Sequence, residues 1–140
     1  MKAPLLERHE IQLVKDWVLL PVLLEVIERD IQVMEQVKLR LAPVFMEVLR
    51  ELEPAVIREI SAIKQQLRWR GIQVYEQHRT PERLEVKYKC RGYEHRLHLL
   101  WGLVRAELLQ KIRRCVSLHA GEERSLISEW KGSNEEGQRL

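Results

Sequence analysis

The stretch RLEVKYKCRGYEHRLHLLWG (residues 83–102) decides the fold, because the spacing of its apolar residues changes within it. In the first half, every second residue is apolar and those between are charged, which is the period of a β-strand with one buried face. After Gly92 the spacing becomes three and four, which predicts a helix over 93–117. The apolar face of this predicted helix consists of Leu97, Leu100, Trp101, Val104, Leu108, Ile112 and Cys115.

A second segment of partly alternating residues, IQVYEQH (72–78), precedes this strand. The turn-like RTPE (79–82) lies between the two. Two extended segments joined by a short turn predict a β-hairpin over 72–90, with one face packed on the helices and the other in water.

The residues before the hairpin have helical spacing. We predict a first helix over 5–19, and a second over 21–38 that begins at Pro21, since proline fits best in the first helical turn. A third helix is predicted over 43–70, because its apolar residues keep one phase through Pro54. Together these elements predict an α+β fold that is mainly α. Long antiparallel helices are followed by one β-hairpin, which lies between the second long helix and the last helix.

Residues 1–118 are expected to form a single helical domain. Residues 119–140 lose the periodicity and gain Gly, Ser and Glu, which is typical of a mobile tail. No run of apolar residues is long enough to cross a membrane, and MKAPLLERHE (1–10) has no apolar signal core. With only two cysteines, we expect thiols in a reducing, cytoplasmic setting.

Three segments carry a resemblance to a known family: LLPVLLEVIERDIQVME (19–35), the hairpin from Gly71 to Cys90, and YKCRGYEHRLHLLWGLVRAELL (88–109). Over residues 17–116 the chain resembles the small YhjD-like proteins of Bacillus-type bacteria. It departs from them in the CR before Gly92 and in its long C-terminal tail. The resemblance implies this fold and a cytoplasmic setting, but no reaction, cofactor or site residue.

The histidines of the opening stretch do not indicate catalysis. Glu94, His95 and His98 include two zinc-ligand types, but two local ligands and one awkward third do not close a metal site. A glutamate in the first turn of a helix is explained by the helix dipole. No nucleophile motif and no clustered glycines are present. We therefore expect no enzymatic activity and no cofactor.

Charge is unevenly distributed along the chain. Residues 61–116 carry 13 basic and 5 acidic side chains, although the net charge of the whole chain is only +3. An anionic partner would bind there, so weak nucleic-acid binding is one hypothesis. Its candidate anion-binding residues are Arg68, Arg70, Arg83, Lys87, Lys89 and Arg91.

The predicted helices have more apolar surface than one chain needs to cover. Residues on the second predicted helix and on the last one lie outside the main core phase, which favours association with another protein or with a second copy of the chain. We predict a protein-association or regulatory module, most simply a homodimer. The candidate interface residues are Val22, Val26, Val33, Leu99, Leu103 and Ala106.

Overall fold

The computed structural model describes residues 8–117. Two long helices are followed by a three-stranded antiparallel sheet and a third helix. The mainly helical α+β fold is therefore confirmed, but the predicted hairpin is part of a larger sheet. The predicted tail, 119–140, lies outside the described residues.

The first helix, α1, covers Arg8–Gln36 and continues through Pro21. The prediction of separate helices over 5–19 and 21–38 was wrong. A proline inside a helix costs about 3 kcal/mol, because one backbone hydrogen bond is lost and the preceding turn is crowded. Pro21 itself is exposed, and the burial of its neighbours offsets this cost. These neighbours are Val18, Leu19, Leu20 and Leu23, each at most 1% exposed.

The second helix, α2, covers Ala42–Trp69, with Pro43 in its first turn and Pro54 in its interior. The single long helix predicted over 43–70 is confirmed. The chain leaves the helix through Gly71, whose φ of +67° lies in the left-handed region that favours glycine.

Helices α1 and α2 are joined by residues 37–41 and pack side by side. A connection this short makes the two helices antiparallel neighbours. Apart from Ala42 at its start, the buried residues of α2 recur at steps of four and seven, which is one face of a helix. They are Leu52, Val56, Ile63 and Leu67.

The sheet consists of β1 (Ile72–Arg79), β2 (Arg83–Cys90) and β3 (Tyr93–Leu100), in that spatial order. The hairpin predicted over 72–90 is confirmed as β1 and β2. The helix predicted over 93–117 was wrong in its first eight residues, which form β3. The third helix, α3, covers residues 101–117.

Pairing with β2 explains why residues 93–100 form a strand. Leu97 and Leu99 lie opposite Val86 and Leu84, so that apolar side chains meet on one face. The two strands are joined by a two-residue turn at Arg91 and Gly92, with φ of +51° and +87°. Positive φ at both central positions is the type I′ turn, whose twist matches that of antiparallel strands.

The sheet lies along the first half of α1. At one end Arg91 contacts Glu10, and at the other end Arg79 contacts Glu25. Between these points α1 is buried on several faces: it packs against α2, and the two ion pairs hold the sheet beside it. The buried residues there are Leu13, Val14, Val18, Leu19, Leu20 and Leu23.

The chain divides into two compact units, Met1–Leu108 and Leu109–Leu140. The first unit contains α1, α2, the sheet and the first eight residues of α3. Within it, the indole N–H of Trp101 donates a 2.6 Å hydrogen bond to the carbonyl of Thr80, which ties α3 to the β1–β2 turn. In the second unit, residues 109–117 are helical.

Candidate functional surfaces

The distal parts of α1 and α2, with the turn between them, form what we call the arm (residues 26–52). Few of its side chains are buried, because the contacts that hold the sheet to α1 end at Glu25. Only four arm residues are buried, all of them in the seam between the two helices. They are Ile27, Ile31, Ala42 and Leu52.

Large apolar side chains of the arm are exposed over a short length of chain. Phe45 lies seven residues before Leu52, in the phase of the buried face of α2, yet it is 45% exposed. The core pattern of α2 therefore continues to a place where no described residue covers it. The exposed set is Val26, Val33, Val37, Leu39, Leu41, Val44 and Phe45, with exposed fractions of 38% to 60%.

The candidate interface residues of α1 lie at this surface or beside it. Val26 and Val33 belong to the arm and are 38% and 53% exposed. Val22 precedes the arm and is half-buried. The sequence pattern singled out this valine stripe but not the four exposed apolar residues that follow it, from Leu39 to Phe45. The sequence feature that could have indicated these four residues is the high density of apolar residues on both sides of a short turn.

The other three candidate interface residues do not share one helix face. Leu99 lies on β3 and is only 4% exposed, because it packs opposite Leu84 on the covered face of the sheet. The expectation that Leu99 belongs to an exposed helical stripe was wrong. Leu103 is 58% exposed and Ala106 is exposed, both near the start of α3. Association through Leu103 and Ala106 stays a prediction.

Three of the candidate anion-binding residues lie together on the outer face of β2. Arg83 pairs with Glu85 at 2.9 Å, and Lys87 pairs with Glu76 across the sheet at 3.2 Å. The Nζ of Lys89 lies 5.6 Å from the centre of the Tyr75 ring, within the range of a cation–π contact. Two of the three cations are therefore already partly neutralised by neighbouring carboxylates.

The remaining three candidates are elsewhere. Arg68 and Arg70 lie at the end of α2, and the carbonyl of Arg70 accepts a 3.5 Å hydrogen bond from Arg91. Arg91 is in the β2–β3 turn, where its guanidinium binds both carboxylate oxygens of Glu10, at 2.9 and 3.3 Å. Arg91 thus links the end of α2 to the end of β2, with its charge paired to Glu10. Anion binding by the six basic residues stays a prediction.

The contact between Glu10 and Arg91 is the most buried charged contact in the described residues, since Glu10 is only 2% exposed. The thiol of Cys90 also donates to Glu10, at 3.6 Å. Burial and the Glu10 carboxylate raise the pKa of Cys90, with Arg91 acting in the opposite direction. Burial, and then the charges of Cys90 and Glu10, raise the pKa of Tyr88.

The surroundings of Cys90 and His95 limit the chemistry that residues 83–102 could perform. A raised pKa keeps the Cys90 thiol protonated at neutral pH, whereas a nucleophilic cysteine needs a thiolate. His95 stacks on the ring of Tyr88, with centroids 5.4 Å apart. Within residues 8–117, no three side chains of the metal-binding types are grouped as a metal site. The geometry is that of a structural junction between α1, the end of α2 and the sheet.

The sequence pattern did not predict the role of Glu10. Its position carried a signal, because Glu10 precedes Leu13, Val14 and Trp17 by three, four and seven residues, in the phase of a buried face. A charge in such a phase points to a partner, but the partner, Arg91, is 81 residues away in sequence.

No helix within residues 8–117 is long and apolar enough to span a bilayer. Among curated proteins and among solved structures, no match to this chain was found. The family model described as YhjD protein matches residues 5–120, which cover both long helices, the whole sheet and the described part of α3. The chain therefore belongs to the YhjD protein family.

Proposed function

We propose that this chain is a non-enzymatic protein-association module, and that a second copy of the chain binds to its arm. The observation that carries the proposal is the exposure of seven large apolar side chains between residues 26 and 45. Scattered apolar residues are normal on a protein surface, but a contiguous apolar surface marks an interaction site.

The shape of the arm supports association of this kind. Two helices that pack only on each other bury a single seam, and the apolar residues outside that seam remain in water. A second pair of helices would cover them as in a four-helix bundle. The cost of leaving Phe45 and its neighbours in water would then be removed by dimerisation.

The charges around the apolar residues favour a second copy over an unrelated partner. Lys38 and Arg40 lie in the turn, while Glu47 lies further along α2. None of these three has an ion pair within residues 8–117. In a two-fold dimer each surface meets its own image, so a surface with both signs can pair with itself. Antiparallel overlap of two arms would bring Lys38 and Arg40 of one copy near Glu47 of the other.

Light scattering on the purified full chain tests the proposal. We expect a mass of twice 16.7 kDa that falls to the monomer value when Val33 and Phe45 are both replaced by glutamate. Both side chains are about half exposed, so the variant should keep its circular dichroism spectrum. At a protein concentration low enough for the wild type to be a monomer, the two chains should also share one unfolding midpoint. The control is Leu103→Glu, which places one glutamate, instead of two, at a similarly exposed apolar residue outside the arm.

Two outcomes would contradict this assignment. If Leu103→Glu dissociates the dimer and the arm variant does not, the interface lies on α3, as the candidates Leu103 and Ala106 predict. If the wild-type chain is a monomer up to high concentration, the partner is not a second copy.

The proposal includes the absence of catalysis and the cytoplasmic setting that the family resemblance implies. The protonated state of the Cys90 thiol supports the first point, because it removes the most reactive side chain of the junction from nucleophilic chemistry.

Weak nucleic-acid binding through residues 61–116 is the alternative. It is favoured by Lys89 and Arg96, which are exposed on the outer face of the sheet without a carboxylate partner within residues 8–117. Adding a mixed pool of short DNA and RNA to the same measurement distinguishes the two functions. A complex that survives moderate salt, and is lost in Lys89→Glu, would favour the alternative.

A further inference from the structure

A cleft of about 130 Å³ lies at the junction of α1, α2 and the start of β1, away from the arm. Its apolar surface comes from all three elements: Trp17 of α1, Leu67 of α2, and Ile72 and Val74 of β1. Leu67 and Ile72 are buried and form its base, while Trp17 and Val74 are half-buried and remain accessible.

Two cations of α2 line the same cleft. Lys64 and Arg68 are separated by one helical turn, so they lie on one face of α2, and Leu67 lies beside them. Like charges at this spacing repel each other. Within residues 8–117, neither Lys64 nor Arg68 forms an ion pair. The cleft therefore has a positive edge that the described part of the chain does not neutralise.

The other polar groups of the cleft are also able to donate hydrogen bonds. The indole N–H of Trp17 makes no hydrogen bond within the described residues. The side-chain amide of Gln73 completes the lining. None of the described lining residues is a carboxylate. A lining that combines cations and hydrogen-bond donors with apolar side chains is complementary to a molecule with an anionic head and an apolar body.

We propose that this cleft binds a small amphipathic anion, with its carboxylate or phosphate head at Lys64 and Arg68 and its apolar chain against Trp17 and Leu67. The Arg68 guanidinium can bind either head through two parallel hydrogen bonds. This binding site is separate from the association surface of the arm and does not depend on the proposed function.

The volume limits the size of the apolar body. One water molecule needs about 10–15 Å³ of cavity volume. The cleft therefore has room for roughly ten non-hydrogen atoms. Octanoate and octyl phosphate are of about this size. For a ligand of this size in an open cleft, a Kd of about 0.1–1 mM is expected.

Titration of the full chain, labelled with ¹⁵N, tests the proposal by nuclear magnetic resonance. The indole signal of Trp17 is identified by its loss in Trp17→Phe, and it should shift in a saturable way with octanoate or octyl phosphate. Acetate lacks the apolar body and octan-1-ol lacks the charge, so each should bind at least about tenfold more weakly. The arm variant Val33→Glu/Phe45→Glu should bind as the wild type does.

Arg68→Gln should weaken binding of the anion about tenfold and leave the binding of octan-1-ol unchanged. The control is Arg58→Gln, which removes an exposed cation from the same helix but outside the cleft. If octanoate alone or octyl phosphate alone binds, the result supports the proposal and identifies the head group. Equal binding of octan-1-ol and the anions, equal effects of Arg58→Gln and Arg68→Gln, or no shift with either anion would overturn it.

Discussion

Residues 10–25 and residues 26–36 belong to the same helix, α1, but they differ in what covers them. The first segment lies against both α2 and the sheet, and six of its aliphatic residues are at most 5% exposed. The second segment belongs to the arm and lies against α2 alone, with only Ile27 and Ile31 buried. Val, Leu and Ile account for nine of the 16 residues in the first segment but for only four of the 11 in the second, which has no leucine. Two of these four, Val26 and Val33, are exposed, because the ion pairs that hold the sheet to α1 end at Glu25.

This difference separates stability from association in the molecule. Burial from two sides gives the first segment most of the packing that holds the first unit together. The arm adds little to that core and leaves apolar area for a partner. Substitutions at matched positions in the two segments should therefore have very different effects.

The largest effect is expected at Leu19, which is fully buried. Leu19→Ala should lower the free energy of unfolding by about 3 kcal/mol, because the lost methyl groups leave a cavity that the surroundings fill only in part. Val33→Ala in the arm should change the stability of the monomer by no more than about 0.5 kcal/mol. Urea denaturation of both variants at low protein concentration measures the difference. Similar losses at the two positions would mean that the arm is part of the folding core.

The ion pairs of the two segments provide a second comparison. Arg91→Met removes the partner of the buried Glu10 carboxylate, and should destabilise the fold by about 2 kcal/mol, a reduced value because Arg91 itself is partly exposed. Arg50→Met removes an exposed pair with Glu35 in the arm, at 3.2 Å, and should cost at most about 0.5 kcal/mol.

Adding Glu10→Gln to Arg91→Met sharpens this second test. Because the neutral amide needs no counter-charge, the double variant should be more stable than the sum of the two single effects. Additive effects would show that Glu10 and Arg91 do not interact in solution.

Alkaline pH should lower the free energy of unfolding by a smaller amount, through Tyr88 and Cys90 of β2. The pKa of Cys90 lies above its ordinary value of 9.0 and that of Tyr88 above 10.0, so both groups lose their protons more easily in the unfolded chain. The stability that their protonated forms provide is complete below pH 9 and is lost as the pH rises through the folded-state values. Thermal unfolding between about pH 8 and about pH 10.5 should show this decline, with a shallower slope in Cys90→Ala. A stability that does not change over this range would contradict the burial of the two groups.

The sequence predicted correctly those elements in which the spacing of apolar residues fits only one type of secondary structure. The helix α2 was predicted through Pro54 because its apolar phase does not change there, and the hairpin was predicted because RLEVKYKC alternates without exception. Residues 93–100 fit two periods at once, since Leu97 and Leu100 match a helix while Leu97 and Leu99 match a strand. Pairing with Val86 and Leu84 decided between them, and pairing is a tertiary fact.

The candidate surfaces, too, could be predicted from residue spacing only in part. The excess of apolar residues at Val22, Val26 and Val33 could be read from the spacing alone. The burial of Leu99 could not, because it depended on the strand that the helical pattern concealed. The cleft at Trp17, Lys64 and Arg68 joins three elements that are far apart in sequence, and its formation requires the packed structure.

The position of the sheet has a consequence for the synthesis of the chain. One side of α1 can be covered once α2 is complete at Trp69, but the other side must wait for strands that end at Leu100. At a translation rate of about 5–20 residues per second, this interval lasts roughly 2–6 s. During that time the most apolar part of α1 has left the ribosome without its second cover. A nascent chain stalled between these points is the form in which chaperone binding to α1 should be strongest.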